Sequence, residues 1–150
     1  MLLAYGYFLH AAEYNGVELV TSDLKNDNGY FAIDFDDLEK KAADPEVTMM
    51  LWCNPHNPTG RVWTPEELER VAEIAEKNSI WVISDEIHCD LLRTGNHHIP
   101  MAKIMPGYKK LITCMSASKT FNMAGLMHSN IIIRDEKYRE YFSARDKLIG

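Results

Sequence analysis

Three short segments hold most of the residues whose types could do chemistry together. The first is Asn54-Pro55-His56-Asn57-Pro58-Thr59-Gly60, where two prolines and a glycine fix a rigid loop around an amide side chain. The second, Ser84-Asp85-Glu86-Ile87-His88, puts an acid and an imidazole three residues apart. The third, Ser116-Ala117-Ser118-Lys119-Thr120, places two hydroxyls beside a primary amine. Alone, Lys119 would read as a surface lysine, Asp85 as a turn cap, Asn57 as a loop brace and His88 as a packed histidine. Their combination supplies a nucleophilic amine, an anion and fixed hydrogen-bond donors. Ser118-Lys119-Thr120 superficially resembles the end of a phosphate-binding P-loop, but Thr113 to Thr120 contains no glycine, which argues against a nucleotide site. His97, His98, Cys89 and Cys114 lack metal-ligand spacing. Glu86 and Arg93 read as solvated or structural rather than catalytic.

Each segment follows a short apolar run. The runs Val17 to Thr21, Val47 to Cys53, Ile80 to Ser84, Leu111 to Met115 and Asn130 to Ile133 are five candidate strands. Asp34 followed by Phe35, Leu38 and Ala42 predicts a helix, with acids in its first turn and Lys40 and Lys41 in its last. Thr64-Pro65-Glu66-Glu67 predicts a capping box, after which Leu68, Val71, Ala72 and Ala75 share one face. A third helix is expected from about Asp135 toward Leu148, burying Tyr138, Phe142 and Tyr141. Strands alternating with helices imply an α/β fold: a mostly parallel sheet with helices on both faces. In such folds ligands sit beyond the carboxyl ends of the strands, where the three segments fall.

The 150 residues suit one domain, and no repeat or linker divides them. A net charge of −6 offers no cationic field for a nucleic acid partner. No apolar run has the roughly 20 residues of a membrane span, and the start lacks a basic signal-peptide region, so no membrane partner is expected. Cys53, Cys89 and Cys114, odd in number and widely spaced, read as reduced thiols of a cytoplasmic protein.

A lysine, a carboxylate and hydroxyls at neighbouring strand ends are what pyridoxal 5′-phosphate chemistry requires: an amine for the Schiff base, an anion for the ring nitrogen, hydroxyls for the phosphate. In this order the three segments resemble those of the class I/II aminotransferase family, the fold-type I enzymes that use this cofactor. Asp85-Glu86-Ile87-His88, Cys89-Asp90 and His98-Ile99-Pro100 are most similar to its cystathionine β-lyase or carbon-sulfur lyase branch, the MalY/PatB type. Gly29-Tyr30-Phe31-Ala32-Ile33-Asp34 resembles that branch too.

The resemblance implies that Lys119 carries the cofactor and moves the substrate's α-proton. It implies that Asp85 pairs with the ring nitrogen, that Asn57 bonds the ring hydroxyl, and that Ser116 and Ser118 bind the phosphate. Tyr5 would stack on the ring, and His88 stands where transaminases more often have tyrosine. The implied reaction is α,β-elimination from a small sulfur amino acid, with transamination as the alternative and a non-catalytic binding module as the reading of another class. It also implies a homodimer, and that residues 1–150 are part of a cofactor-binding large domain, without the family's upstream phosphate loop and C-terminal small domain. The family's frequent phosphate-binding arginine is replaced by Met127. On that expectation the chain alone has little activity.

Overall fold

The capping box forms as its spacing predicts. The Glu67 amide donates to the Thr64 hydroxyl (3.2 Å), and the Thr64 amide donates to the Glu67 carboxylate (2.8 Å). With Pro65 in the first turn, where no amide hydrogen is needed, this starts α3 (Pro65–Lys77). Leu68, Val71, Ala72 and Ala75 fall on one buried face. Burying Leu68 and Val71 completely contributes about 1.5–3 kcal/mol each.

The structure is a computed structural model that describes residues 6–149, the side chains of 146–149 excepted. In chain order its elements are α1 (Gly6–Tyr14), a hairpin of β1 (Lys25–Asp27) and β2 (Tyr30–Ala32), α2 (Phe35–Ala42), β3 (Met49–Cys53), α3, β4 (Trp81–Asp85), α4 (Met101–Ile104), β5 (Leu111–Met115), α5 (Ala117–Thr120), a 3-10 turn at Ala124–Leu126, β6 (Asn130–Ile133) and α6 (Glu136–Ile149). The main sheet has the order β3-β4-β5-β6. Its first three strands are parallel. β6 returns antiparallel, because the β5–β6 connection carries only two short helical turns rather than a crossover helix.

Strand alternation sorts the faces. Val82 of β4 joins the buried cluster with Trp52, Leu111, the α3 face and Met101 and Met105. Trp81 points the other way and meets Tyr138 of α6 edge-on, with ring centroids 4.5 Å apart. Helices thus cover both faces of the sheet. α2 lies outside α3, its Asp34 N-cap accepting from the Asp37 amide (3.2 Å), with Ala42 packed on Ile74 and Ile80.

Two expectations are corrected, and one element was not foreseen. Val17–Thr21 is not a strand: no described strand pairs with it, and Val17 is 60% exposed. Branched residues favour extended backbone, but a strand also needs a ladder partner. The β1–β2 hairpin escaped the reading of apolar runs, because its strands have three residues each. Its signal is Asn28-Gly29, both in the left-handed region (φ 49° and 93°), as a tight hairpin turn demands. The helix expected near Asp135 forms as α6, yet Tyr138, Tyr141 and Phe142 stay exposed, because little besides β6 and Trp81 lies against it.

Candidate active site

Parallel register brings the three chemistry-bearing segments to one level. Cys53 of β3, Asp85 of β4 and Cys114 of β5 are Cα partners in succession. The ladder runs one residue further on each side: the Asn54 amide donates to Asp85 O (3.0 Å), and the Glu86 amide to Cys114 O (2.9 Å). The loops therefore leave the sheet together.

The loop after β3 is folded back on its own strand. Cys53 Sγ accepts from the Asn57 amide (3.4 Å) and donates to Pro55 O (3.2 Å). Asn54 is fully buried, its side-chain amide donating to Ile99 O (3.2 Å). The bonds Asn54–Pro55 and Asn57–Pro58 are cis, and Gly60 takes φ 71°, a left-handed value suited to glycine. His56 Nδ1 lies 2.8 Å from Thr59 Oγ1, and burial lowers the His56 pKa, which favours the neutral ring at pH 7. Beyond the loop the Arg61 guanidinium stands over both the Tyr30 and Trp63 rings (4.6 and 4.9 Å to the centroids). It donates to Tyr30 Oη (2.8 Å) and pairs with Glu67, so the hairpin, the loop and the start of α3 are joined through one cation.

Asp85 closes β4 on the sheet face away from Val82 and Ser84. Burial pushes its carboxyl above the ordinary carboxylate range; the Ile87 amide, donating to Oδ1 (3.1 Å), and His88 oppose this, and Glu86 adds to it. No lysine or arginine pairs with it among the described residues. Burial likewise raises the Cys53 and Cys114 thiols to about 11, which keeps both protonated beside Asp85.

Lys119 sits on α5. Ser116 caps that turn: its hydroxyl accepts from the Ser118 amide (3.0 Å) and donates to His128 O (2.6 Å). The Thr120 hydroxyl donates to Asp90 (3.1 Å), tying the lysine's turn to the loop after β4.

One cleft is lined by Cys53, Asn57, Asp85, Ile87, His88 and Lys119. It brings together the amide, the carboxylate, the imidazole and the amine from three separate segments. Ser116 and Ser118 lie on the lysine's segment but do not line it. Tyr5 is outside the described residues. Sequence reasoning singled out neither Cys53 nor Ile87 as lining residues. For Cys53 the available signal was its place at the end of an apolar run immediately before the proline-bound loop. Among the described residues no group of three His, Cys, Asp or Glu could hold a metal ion, and no helix is long and apolar enough to cross a membrane.

The family model described as aminotransferase class I and II matches residues 2–146. Cystathionine beta-lyase PatB of Bacillus subtilis is 45% identical over 141 residues, covering 93% of this chain and 36% of that protein. A PLP-bound C-S lyase from Staphylococcus hominis superposes with a TM-score of 0.91 at 50% identity, over 94% of this chain and 36% of that one. Cystalysin from Treponema denticola, whose structure contains pyridoxal 5′-phosphate, gives 0.92 at 39% identity, over 96% of this chain and 37% of that one. The chain thus spans little more than a third of the length of these relatives.

Proposed function

Since the chain belongs to the class I and II aminotransferase family, we propose that residues 1–150 are part of the large cofactor domain of a pyridoxal 5′-phosphate-dependent carbon–sulfur β-lyase. Its substrates are sulfur amino acids of the cystathionine type, its assembly is a homodimer and its compartment is the cytoplasm. The observation that carries this reading is the cleft shared by Asn57, Asp85, His88 and Lys119. Its donor set fits the cofactor. A half-buried carboxylate with no lysine or arginine partner suits a protonated ring nitrogen, and an amine in the same cleft suits an aldehyde carbon.

When bound, the cofactor supplies an electron-withdrawing ring that takes up the charge left as an amino acid loses its α-proton. The chain's residues do the rest. Asp85 would hold a proton at the ring nitrogen. Asn57, its backbone pinned by Cys53, offers its side-chain amide to the ring hydroxyl. Lys119 would hold the cofactor and take up the substrate's α-proton at Nζ. By the family resemblance Ser116 and Ser118 would bind the phosphate, Tyr5 would stack on the ring, and His88 would border it. Departure of the β-sulfur with the electron pair of the broken C–S bond, followed by hydrolysis, yields thiol, pyruvate and ammonia. The family's name keeps aminotransfer as the second reading, since one α-proton removal serves both outcomes. Similarity to lyases at 45–50% identity favours elimination.

The test is pyridoxal 5′-phosphate titration of the full chain, followed by assay with cystathionine. A visible absorbance band that disappears in Lys119→Ala is the expected result, with release of pyruvate and thiol by a protein of family length that carries these residues and little release by residues 1–150 alone. A band with amino-group exchange but no thiol means aminotransferase. No band with the wild-type chain overturns cofactor binding by these residues and leaves a non-catalytic module.

A further inference from the structure

Beside the cleft, and absent from the chemistry just described, lies a buried carboxylate. Glu86 is 1% exposed. Its Oε1 accepts from the Ser84 hydroxyl (3.0 Å) and the Met101 amide (2.9 Å), and its Oε2 lies 2.8 Å from His98 Nε2. The His98 side chain is 9% exposed, and its Nδ1 has no hydrogen-bond partner among the described residues. A proton on Nδ1 would be a buried donor without an acceptor, so the favoured form carries its only ring proton on Nε2 and donates it to Glu86. Three donors then converge on one carboxylate. That is the arrangement under which a buried charge is tolerated, and losing one donor leaves an under-solvated anion.

The location gives this cluster its consequence. Successive strand residues face opposite sides, so Ser84 and Glu86 point toward α4 while Asp85 between them points to the cleft. Past Asp85 the strand has left the ladder except for the Glu86 amide, and peptide rotation there would swing the Asp85 carboxylate. Clamping 84 and 86 on one side fixes 85 on the other. The same carboxylate ties residues 98–101 back to the strand end, closing the loop that carries His88.

We infer that Glu86, held by Ser84, His98 and the Met101 amide, is a positioning residue that aims Asp85 and His88 into the cleft. The inference rests on the cofactor reading for its purpose, though its mechanical part stands apart from it. Glu86→Gln keeps the volume and the acceptor for Ser84 and Met101, but sets an amide NH₂ against the His98 donor. The reference is Val71→Ala, which weakens the α3 core without touching the strand end. Two quantities are measured on the full chain: amide hydrogen exchange at Ile87 and Cys89 without cofactor, and the dissociation constant for pyridoxal 5′-phosphate.

Glu86→Gln is expected to speed exchange at both amides by about tenfold beyond Val71→Ala. It is expected to weaken cofactor binding by about tenfold beyond the same reference. Changes no larger than those of Val71→Ala overturn the inference and make Glu86 a core residue only. Should Glu86→Gln fail to fold, His98→Leu and Ser84→Ala, each of which removes one donor to the carboxylate, carry the same expectation. If the wild-type chain binds no cofactor, the proposed function fails while the exchange measurement still decides the positioning role.

Discussion

Replacing Asp85 with asparagine is expected to move stability and cofactor affinity in opposite directions. Asparagine keeps the shape and the oxygen that accepts from the Ile87 amide, and removes the charge. In the cofactor-free chain that charge is a burden, since burial raises the carboxyl's pKa and no lysine or arginine among the described residues pairs with it. A folded-state pKa above the unfolded value means the carboxyl favours folding below the unfolded pKa, and that this contribution is lost as pH rises through the folded value. Asp85→Asn therefore stabilises the cofactor-free chain at pH 7, with the gain shrinking as pH falls toward about 4, where the unfolded aspartate is itself protonated. In the loaded chain the asparagine forfeits a hydrogen bond to a charged partner, worth about 1.5–3 kcal/mol. The dissociation constant for pyridoxal 5′-phosphate should rise by roughly 10- to 150-fold. Urea unfolding at several pH values gives the first quantity, and absorbance titration the second. A variant less stable than wild type at pH 7 with unchanged cofactor affinity would refute both the electrostatic reading of Asp85 and its pairing role.

Other expectations concern the frame around the cleft. Thr64→Ala removes half of the capping box and should lower unfolding stability by about 1 kcal/mol, read as a lower urea midpoint at unchanged slope. Gly29→Ala places a side chain at φ 93° in the hairpin turn and should cost about 1 kcal/mol; an unchanged midpoint would mean the turn relaxes freely. Cys53 and Cys114, with thiols held at about 11 by burial, should react with a thiol reagent at pH 8 more slowly than the more exposed Cys89. All three rates should converge in denaturant, and preferential labelling of Cys53 in the folded chain would contradict its packing against Pro55 and Asn57.

The sequence made readable those features whose cause is local. The Thr64 capping box, the Asp34 N-cap and the apolar runs of β3, β4, β5 and β6 are specified by residues within a few positions of one another. Asn57, Asp85, His88 and Lys119 were findable because each lies at or just after such a run. What needed a distant partner was not readable. Val17–Thr21 has strand composition without a ladder, and α6 has aromatic residues with little to cover them. Glu86 looked solvated or structural, and only the fold brings His98 and Met101 to it. Arg61 drew no notice, because its ring partners come from positions 30 and 63.

The level strand ends at Cys53, Asp85 and Cys114 set the plane from which the loops around the cleft rise. The sheet contributes altitude and two lining side chains, Cys53 and Asp85, and it delivers three loops to the same plane, whatever those loops then carry. A change of side chain above that plane, such as one at position 88, leaves every ladder bond in place. The rim of the cleft can therefore vary while the paired strands beneath it keep their register.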